Sequence, residues 1–199
     1  MSDKYATAAA EIHELIAKRW SPRSFDPDKP VTPKQIIALL EAARWAPSCF
    51  NDQPWRFIVC DKNTDPESWQ KAFALLVEKN QLWAKNAPVL LLSVATSHFA
   101  HNGDPSRWGM FDTGAACMAL CVQAVALGLA ANQMGGYDAV KAKTVFGIPD
   151  DCNPMSMIAI GYQAEAARLY DAFKAAETAP RSRAPLEGQC FSGYWLHGI

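Results

Sequence analysis

Four segments of this 199-residue chain carry residue types whose spacing suits an anionic, heterocyclic ligand. The first is Arg19-Trp20-Ser21-Pro22-Arg23-Ser24-Phe25. Its two guanidiniums flank a hydroxyl, and Arg presents a planar fork of N–H donors that matches phosphate oxygens. The second, Ala46-Pro47-Ser48-Cys49-Phe50-Asn51-Asp52-Gln53-Pro54-Trp55, is stiffened by two prolines. The hydroxyl and amides of Ser48, Asn51 and Gln53 suit the polar edge of a flat ring system. The third, Gln133-Met134-Gly135-Gly136-Tyr137, sets paired glycines after an apolar run; without a Cβ, backbone can approach a ligand closely. The fourth, Arg181-Ser182-Arg183-Ala184-Pro185-Leu186, adds two more guanidiniums. Taken singly, each has a plainer reading: a solvated basic turn, a helix-to-strand connection, a tight turn and a frayed basic tail.

Other chemistries have no footing. There is no Gly-x-Gly-x-x-Gly after a strand and no phosphate-binding Walker loop. His13-Glu14 starts like a zinc-protease motif, but Ala17 stands where the second His is needed. His98 and His101 lack a third ligand nearby, and no Gly-x-Ser-x-Gly elbow is present. We therefore expect no metal site and no acid–base or nucleophilic catalytic set. Nineteen basic against twenty acidic residues give a net charge of −1, without the basic excess of a nucleic-acid binder.

The elements that must position these segments follow from periodicity. Helical spacing of Ile12, Leu15 and Ile16 predicts a helix over 3–18, stopped by Ser21-Pro22. Thr32-Pro33-Lys34-Gln35 reads as a capping box opening a second helix, with Pro in its first turn. A strand is expected at 56–61, a helix at 66–78 and a buried strand at 88–96. A central helix at 110–127 leads into a strand at 129–134. Asp138 caps a short helix, and a strand at 155–162 precedes a helix at 164–177 and an irregular basic tail.

Residues 113–137 carry no charge, and Gly114–Ala131 reaches the length of a membrane span. Its Ala-rich composition, with Gly128 and Asn132-Gln133 interrupting it, favours an enclosed or interface helix over a membrane anchor. A hydrophobic content of 50% excludes wholesale disorder. Low charge beside seven Trp and nine Phe implies apolar surface covered by a partner or cofactor. No export signal is evident, so the six cysteines are expected as reduced, buried thiols in a cytoplasmic protein. The length fits one domain over 1–199.

In order and spacing, the four segments resemble the nitroreductase family of FMN-dependent oxidoreductases. Arg19, Ser21, Arg23 and Phe25 match its opening Arg-x-Ser-x-Arg-x-Phe motif. Pro47, Ser48, Asn51, Gln53, Pro54 and Trp55 match its Pro-Ser-x-x-Asn-x-Gln-Pro-Trp loop. Gly135-Gly136 match its glycine turn, and Arg181, Arg183, Pro185 and Leu186 its late basic motif. The resemblance implies an α+β fold: a mixed sheet wrapped by helices in an intertwined homodimer. The uncharged run would supply a long central interface helix, and FMN would lie between subunits.

Residue by residue, the resemblance casts Arg19, Arg181 and Arg183 on the FMN phosphate, with Ser21 assisting and Trp20 beside them. Arg23 would meet the flavin pyrimidine and stabilise negative charge there. Pro47, Ser48, Asn51 and Gln53 would reach the flavin of the other subunit. Gly135, next to Gly136, would offer its N–H to flavin N5, and Asn80 would make a further polar contact. His98, Phe99, His101, Trp108 and Phe111 are candidates to roof the site. The implied reaction is ping-pong hydride transfer from NADPH or NADH, through FMN, to a nitroaromatic or quinone-like acceptor. The alternatives are a same-fold flavoenzyme with other chemistry (dehalogenation, ring oxidation, flavin breakdown) and a non-catalytic FMN storage or sensing protein.

Overall fold

The structure, a computed structural model, describes residues 4–198. Helices α1 (Glu14–Lys18) and α2 (Pro33–Arg44) precede strand β1 (Trp55–Asp61). Helices α3 (Pro66–Ala74) and α4 (Glu78–Ala84) lead to β2 (Val89–Thr96). The long helix α5 (Trp108–Ala126), β3 (Ala130–Met134), α6 (Ala139–Phe146), β4 (Cys152–Gly161) and α7 (Asp171–Thr178) follow.

Four strands form one sheet in the order β1-β2-β4-β3. Every pairing is antiparallel, so no parallel pair of the implied mixed sheet occurs among the described strands. β2 is central and buried on both faces, as its apolar run, broken only by Ser93 before Thr96, demands. Leu90, Leu92 and Val94 face one core with Trp69, Trp83 and Phe173 of α3, α4 and α7. Val89 and Leu91 face the other, with Leu39 of α2 and Ala116, Cys117, Leu120 and Ala124 of α5. The alternation follows the two-residue period of a strand.

α5 is long and apolar enough to cross a membrane, by length and composition alone. Here it lies between α2 and the sheet, with eight of its residues buried. Its first turn presses on the end of β2: a Cβ added at Gly109 would lie 2.2 Å from the Thr96 carbonyl oxygen. The capping box at α2 forms as expected. Thr32 Oγ1 accepts from Gln35 N, and Gln35 Oε1 accepts from Thr32 N.

Three expected helices are corrected. The helix at 3–18 is helical only over Glu14–Lys18, capped by His13; residue 3 lies outside the described residues. Residues 6–10 offer no large apolar stripe to bury, and the segment instead doubles back, with Ala6 N donating to Ala17 O. The helix at 66–78 stops at Ala74, because the next residues pair with the glycine turn. Val77 N donates to Gly136 O, and Leu75 O accepts from Asp138 N. The chain then restarts as α4, which periodicity did not reveal. The helix at 164–177 starts at Asp171, after a 3-10 turn at Ala166–Arg168. β4 also begins three residues before the expected 155, at Cys152.

All six thiols are free; Cys60, Cys117, Cys121 and Cys152 are buried, and Cys49 and Cys190 half-buried. Burial pushes Cys60 and Cys121 up to about 11, so about 1% or less of either is thiolate at pH 9. Ellman's reagent is therefore expected to titrate two thiols in the native protein at pH 8 and six after denaturation. Rapid native labelling of four or more would contradict this packing.

Candidate functional site

The opening motif is fastened on three sides. Residues 24–26 continue the sheet beyond β4: Asp26 N donates to Tyr162 O and Ala164 N to Ser24 O. From β3, the Asn132 amide donates to the carbonyls of Ser21 (3.2 Å) and Pro22 (2.9 Å). From α7, the buried Glu177 carboxylate accepts from the N–H groups of Arg23 (2.9 Å) and Ser24 (3.0 Å). Ser24 Oγ donates to Glu165 O at 2.7 Å. A backbone turn that would otherwise be open is thus held by two buried side chains.

Around it the structure gathers cations. Arg19 Nη1 donates to Ser21 Oγ at 3.4 Å. Arg181 Nη1 donates to the carbonyls of Ala17 (2.6 Å) and Lys4 (2.9 Å), so the late basic motif returns to the opening one. Burial lowers the proton affinity of Arg181, and the neighbouring Arg19 and Arg183 lower it further. Lys4 donates to Ala176 O and Glu177 O, both at 3.0 Å, and rests over the Trp20 ring. Burial holds Lys4 below its ordinary value; Glu177 opposes this, while Arg181 and Arg23 add to it. The Arg23 guanidinium lies 6.0 Å from the Phe173 ring centroid. Arg19, Trp20, Ser21, Arg23, Arg181 and Arg183 therefore form one neighbourhood of like charge. Its chemical capacity is to bind an anion with more than one negative charge.

A second group sits at the far end of β3. Asn80 Nδ2 donates to Gly136 O at 3.0 Å, and Tyr137 N to Gly135 O at 3.1 Å. A Cβ on Gly136 would lie 2.7 Å from Asn80 Nδ2 and 3.0 Å from Val77, whereas one on Gly135 meets nothing within 4 Å. Gly136 is thus required by packing, and Gly135 faces open space. Asn132 lies in β3 and Gly135 follows directly after its end, three residues or about 10 Å on, so β3 ties the cationic neighbourhood to the glycine turn.

The third group, Pro47–Gln53, stands apart. Among the described residues, no hydrogen bond or ring contact joins it to the other two. Asp112 of α5 accepts from Cys49 N, and Asp52 accepts from Ala100 N. Inside the loop, Gln53 N donates to Ser48 Oγ and Gln53 Nε2 to Asn51 O. Phe50, Asn51 and Gln53 hold left-handed φ values of 55°, 56° and 51°. Such backbone is costly for residues with a side chain and persists only where surroundings impose it. The roof candidates divide: Phe99 and His101 join Phe50 in one ring cluster, Trp108 and Phe111 form another, and His98 bridges Pro105 through its backbone. Sequence reasoning missed Glu177, Asp112 and Lys4. Asn132 left a trace, as a polar interruption of an apolar run.

The nitroreductase family model matches residues 16–162. A protein of Methanothermobacter thermautotrophicus, named as a candidate NADH dehydrogenase/NAD(P)H nitroreductase, is 30% identical over 167 residues, which are 82% of this chain and 83% of that one. A solved structure described as an oxidoreductase containing FMN is 37% identical, with TM-score 0.90 and coverage of 96% of each chain. A candidate nitroreductase of Exiguobacterium sibiricum, solved with FMN, shares the fold at 22% identity and TM-score 0.72, covering 92% of this chain and 96% of that one.

Glu177 gives this geometry a direct test. Glu177→Leu strands buried N–H donors, each costing about 1–3 kcal/mol. In urea denaturation it should lose roughly 3 kcal/mol or more, whereas Glu177→Gln, which keeps one oxygen acceptor, should lose less than half of that. Equal stability of wild type and Glu177→Leu would refute the role given to the carboxylate.

Proposed function

The chain belongs to the nitroreductase family, and we propose that it is an FMN-dependent oxidoreductase. In this reading it carries hydride from NADPH or NADH to a small nitroaromatic or quinone-like acceptor by a ping-pong scheme. The observation that carries the proposal is the convergence of Arg19, Arg181 and Arg183, bridged to the Gly135-Gly136 turn by β3. Three mutually repelling guanidiniums are a donor set chemically suited to a phosphate dianion. An open glycine at the other end of the strand suits close backbone approach to a ring.

Bound FMN supplies hydride acceptance and donation at its N5. The chain supplies the rest. Arg19 and Arg183 hold the phosphate, with Ser21 and Trp20 alongside. Arg181 completes the charge while its Nη1 latches the N-terminal segment. Arg23 stabilises negative charge at the pyrimidine. Gly135 donates its N–H toward N5, and Asn80 sets that turn through Gly136 O. No side chain is assigned as general acid or base. Pro47, Ser48, Asn51 and Gln53 serve the site of a second subunit, in keeping with their separation from the cationic group within one chain. We read residues 1–199 as one FMN-binding domain. The six free thiols accord with a reducing cytoplasmic setting.

The second subunit is supported by α5. Its buried residues face the sheet and α2, yet Met110, Phe111 and Met118 remain exposed. A helix apolar all round needs a second covering surface.

The purified protein is expected to show a flavin spectrum that bleaches under anaerobic NADPH or NADH and returns on addition of a nitroaromatic or quinone. Double-reciprocal plots should be parallel. A colourless protein that takes up no added FMN would overturn the proposal. For the assembly, Met118→Glu should convert a dimer to a monomer in light scattering and reduce FMN retention at least tenfold. A Met118→Glu variant that remains dimeric would remove α5 from the interface.

A further inference from the structure

A cavity of about 330 Å³ opens beside the cationic neighbourhood, with Trp20 in its wall. It shares Trp20 with the proposed cofactor site and none of Arg19, Ser21, Arg23, Arg181 or Arg183. The rings of Tyr5, Trp20 and Tyr162 line it, above an apolar floor that includes Leu129. Its charged groups are Lys4, Lys18, Lys29 and Asp26.

Most of that charge is already answered. Lys18 pairs with Glu14, and Asp26 is held by Arg168 at 3.4 Å. Lys4 donates to backbone at the end of α7. Lys29 is left: among the described residues it has no carboxylate partner, and its ammonium rests 3.7 Å from the Tyr162 ring centroid. That ring is fixed, because Tyr162 Oη accepts from Gln35 Nε2 at 2.9 Å, and Gln35 is itself locked into the capping box of α2. The result is an aromatic slot with an uncompensated cation at its edge, set before any ligand arrives. Preorganisation of this kind lowers the ordering cost of binding.

We propose that this cavity is a second ligand site that takes a small aromatic anion, its ring against Tyr5 and Tyr162 and its anionic group on Lys29. The ring enters the apolar slot, and the carboxylate or phosphate meets an ammonium that has no ion-pair partner among the described residues. The volume accommodates a one- or two-ring ligand and lies at the lower end of small-molecule sites. The site is separate from the flavin reading, since apart from the shared Trp20 none of the groups assigned to the phosphate or to N5 forms it.

Salicylate and its neutral analogue salicylamide test this by calorimetry on the protein as purified. Salicylate is expected to bind once per chain, at least tenfold more tightly than salicylamide, and to weaken as salt rises. Lys29→Gln should reduce salicylate affinity about tenfold and Tyr5→Leu several-fold, with flavin content and thermal midpoint unchanged. Both positions are exposed, so neither change threatens the fold. Equal binding of the two probes, wild-type affinity in Lys29→Gln, or displacement of salicylate by FMN added to flavin-stripped protein would each overturn the proposal. A chain that takes up no FMN yet gives the salicylate isotherm would refute the flavin reading and leave this one standing.

Discussion

The arrangement hinges on one buried carboxylate. Glu177 takes the backbone N–H groups of Arg23 and Ser24, and by doing so decides where the arginines on either side of Pro22 emerge. It also offsets, at Lys4, the like charges of Arg23 and Arg181. Without it the segment would have to bury unpaired donors beside unopposed cations, a combination that native proteins avoid. The sheet contributes the second anchor: Asn132 spends its amide on two consecutive carbonyls of the same turn.

From that fixed turn the rest follows. β3 runs from the anchored turn to the glycine pair, so the two ends of an extended ligand would be measured along a single strand. The break between α3 and α4 exists because the backbone there is needed to brace the glycines: Val77 N reaches Gly136 O, and Asn80 adds its amide to the same carbonyl. Gly109 lets α5 sit against the end of β2, and from that turn Asp112 grips the 47–53 loop. Each segment singled out by residue type is held by a polar group from an element distant in sequence.

What the sequence made legible was therefore local. The capping box at Thr32 and Gln35, the two-faced burial of β2 and the apolar length of α5 are all written in nearest-neighbour patterns. The guanidinium pairs and the glycine pair could be noticed as types. Their assembly could not, because nothing near Arg181 announces that it will meet Ala17. Residues 6–10 are good helix formers that stay unwound, since the segment gains more from pairing with α1 and reaching α7 than from coiling. Glu177 looked like any acid on a helix, and only its three-dimensional surroundings reveal it.

The clasp between Arg181 and the start of the chain also has a bearing on the order of events during synthesis. Its partners are up to 177 residues apart. A nascent chain can pair β1 with β2 while the ribosome is still translating, but it cannot complete the cationic turn until residue 181 has cleared the exit tunnel. Long-range closure of this kind comes late and slowly. The cationic turn is thus closed only once residue 181 is available, and a chain interrupted before that residue lacks the clasp.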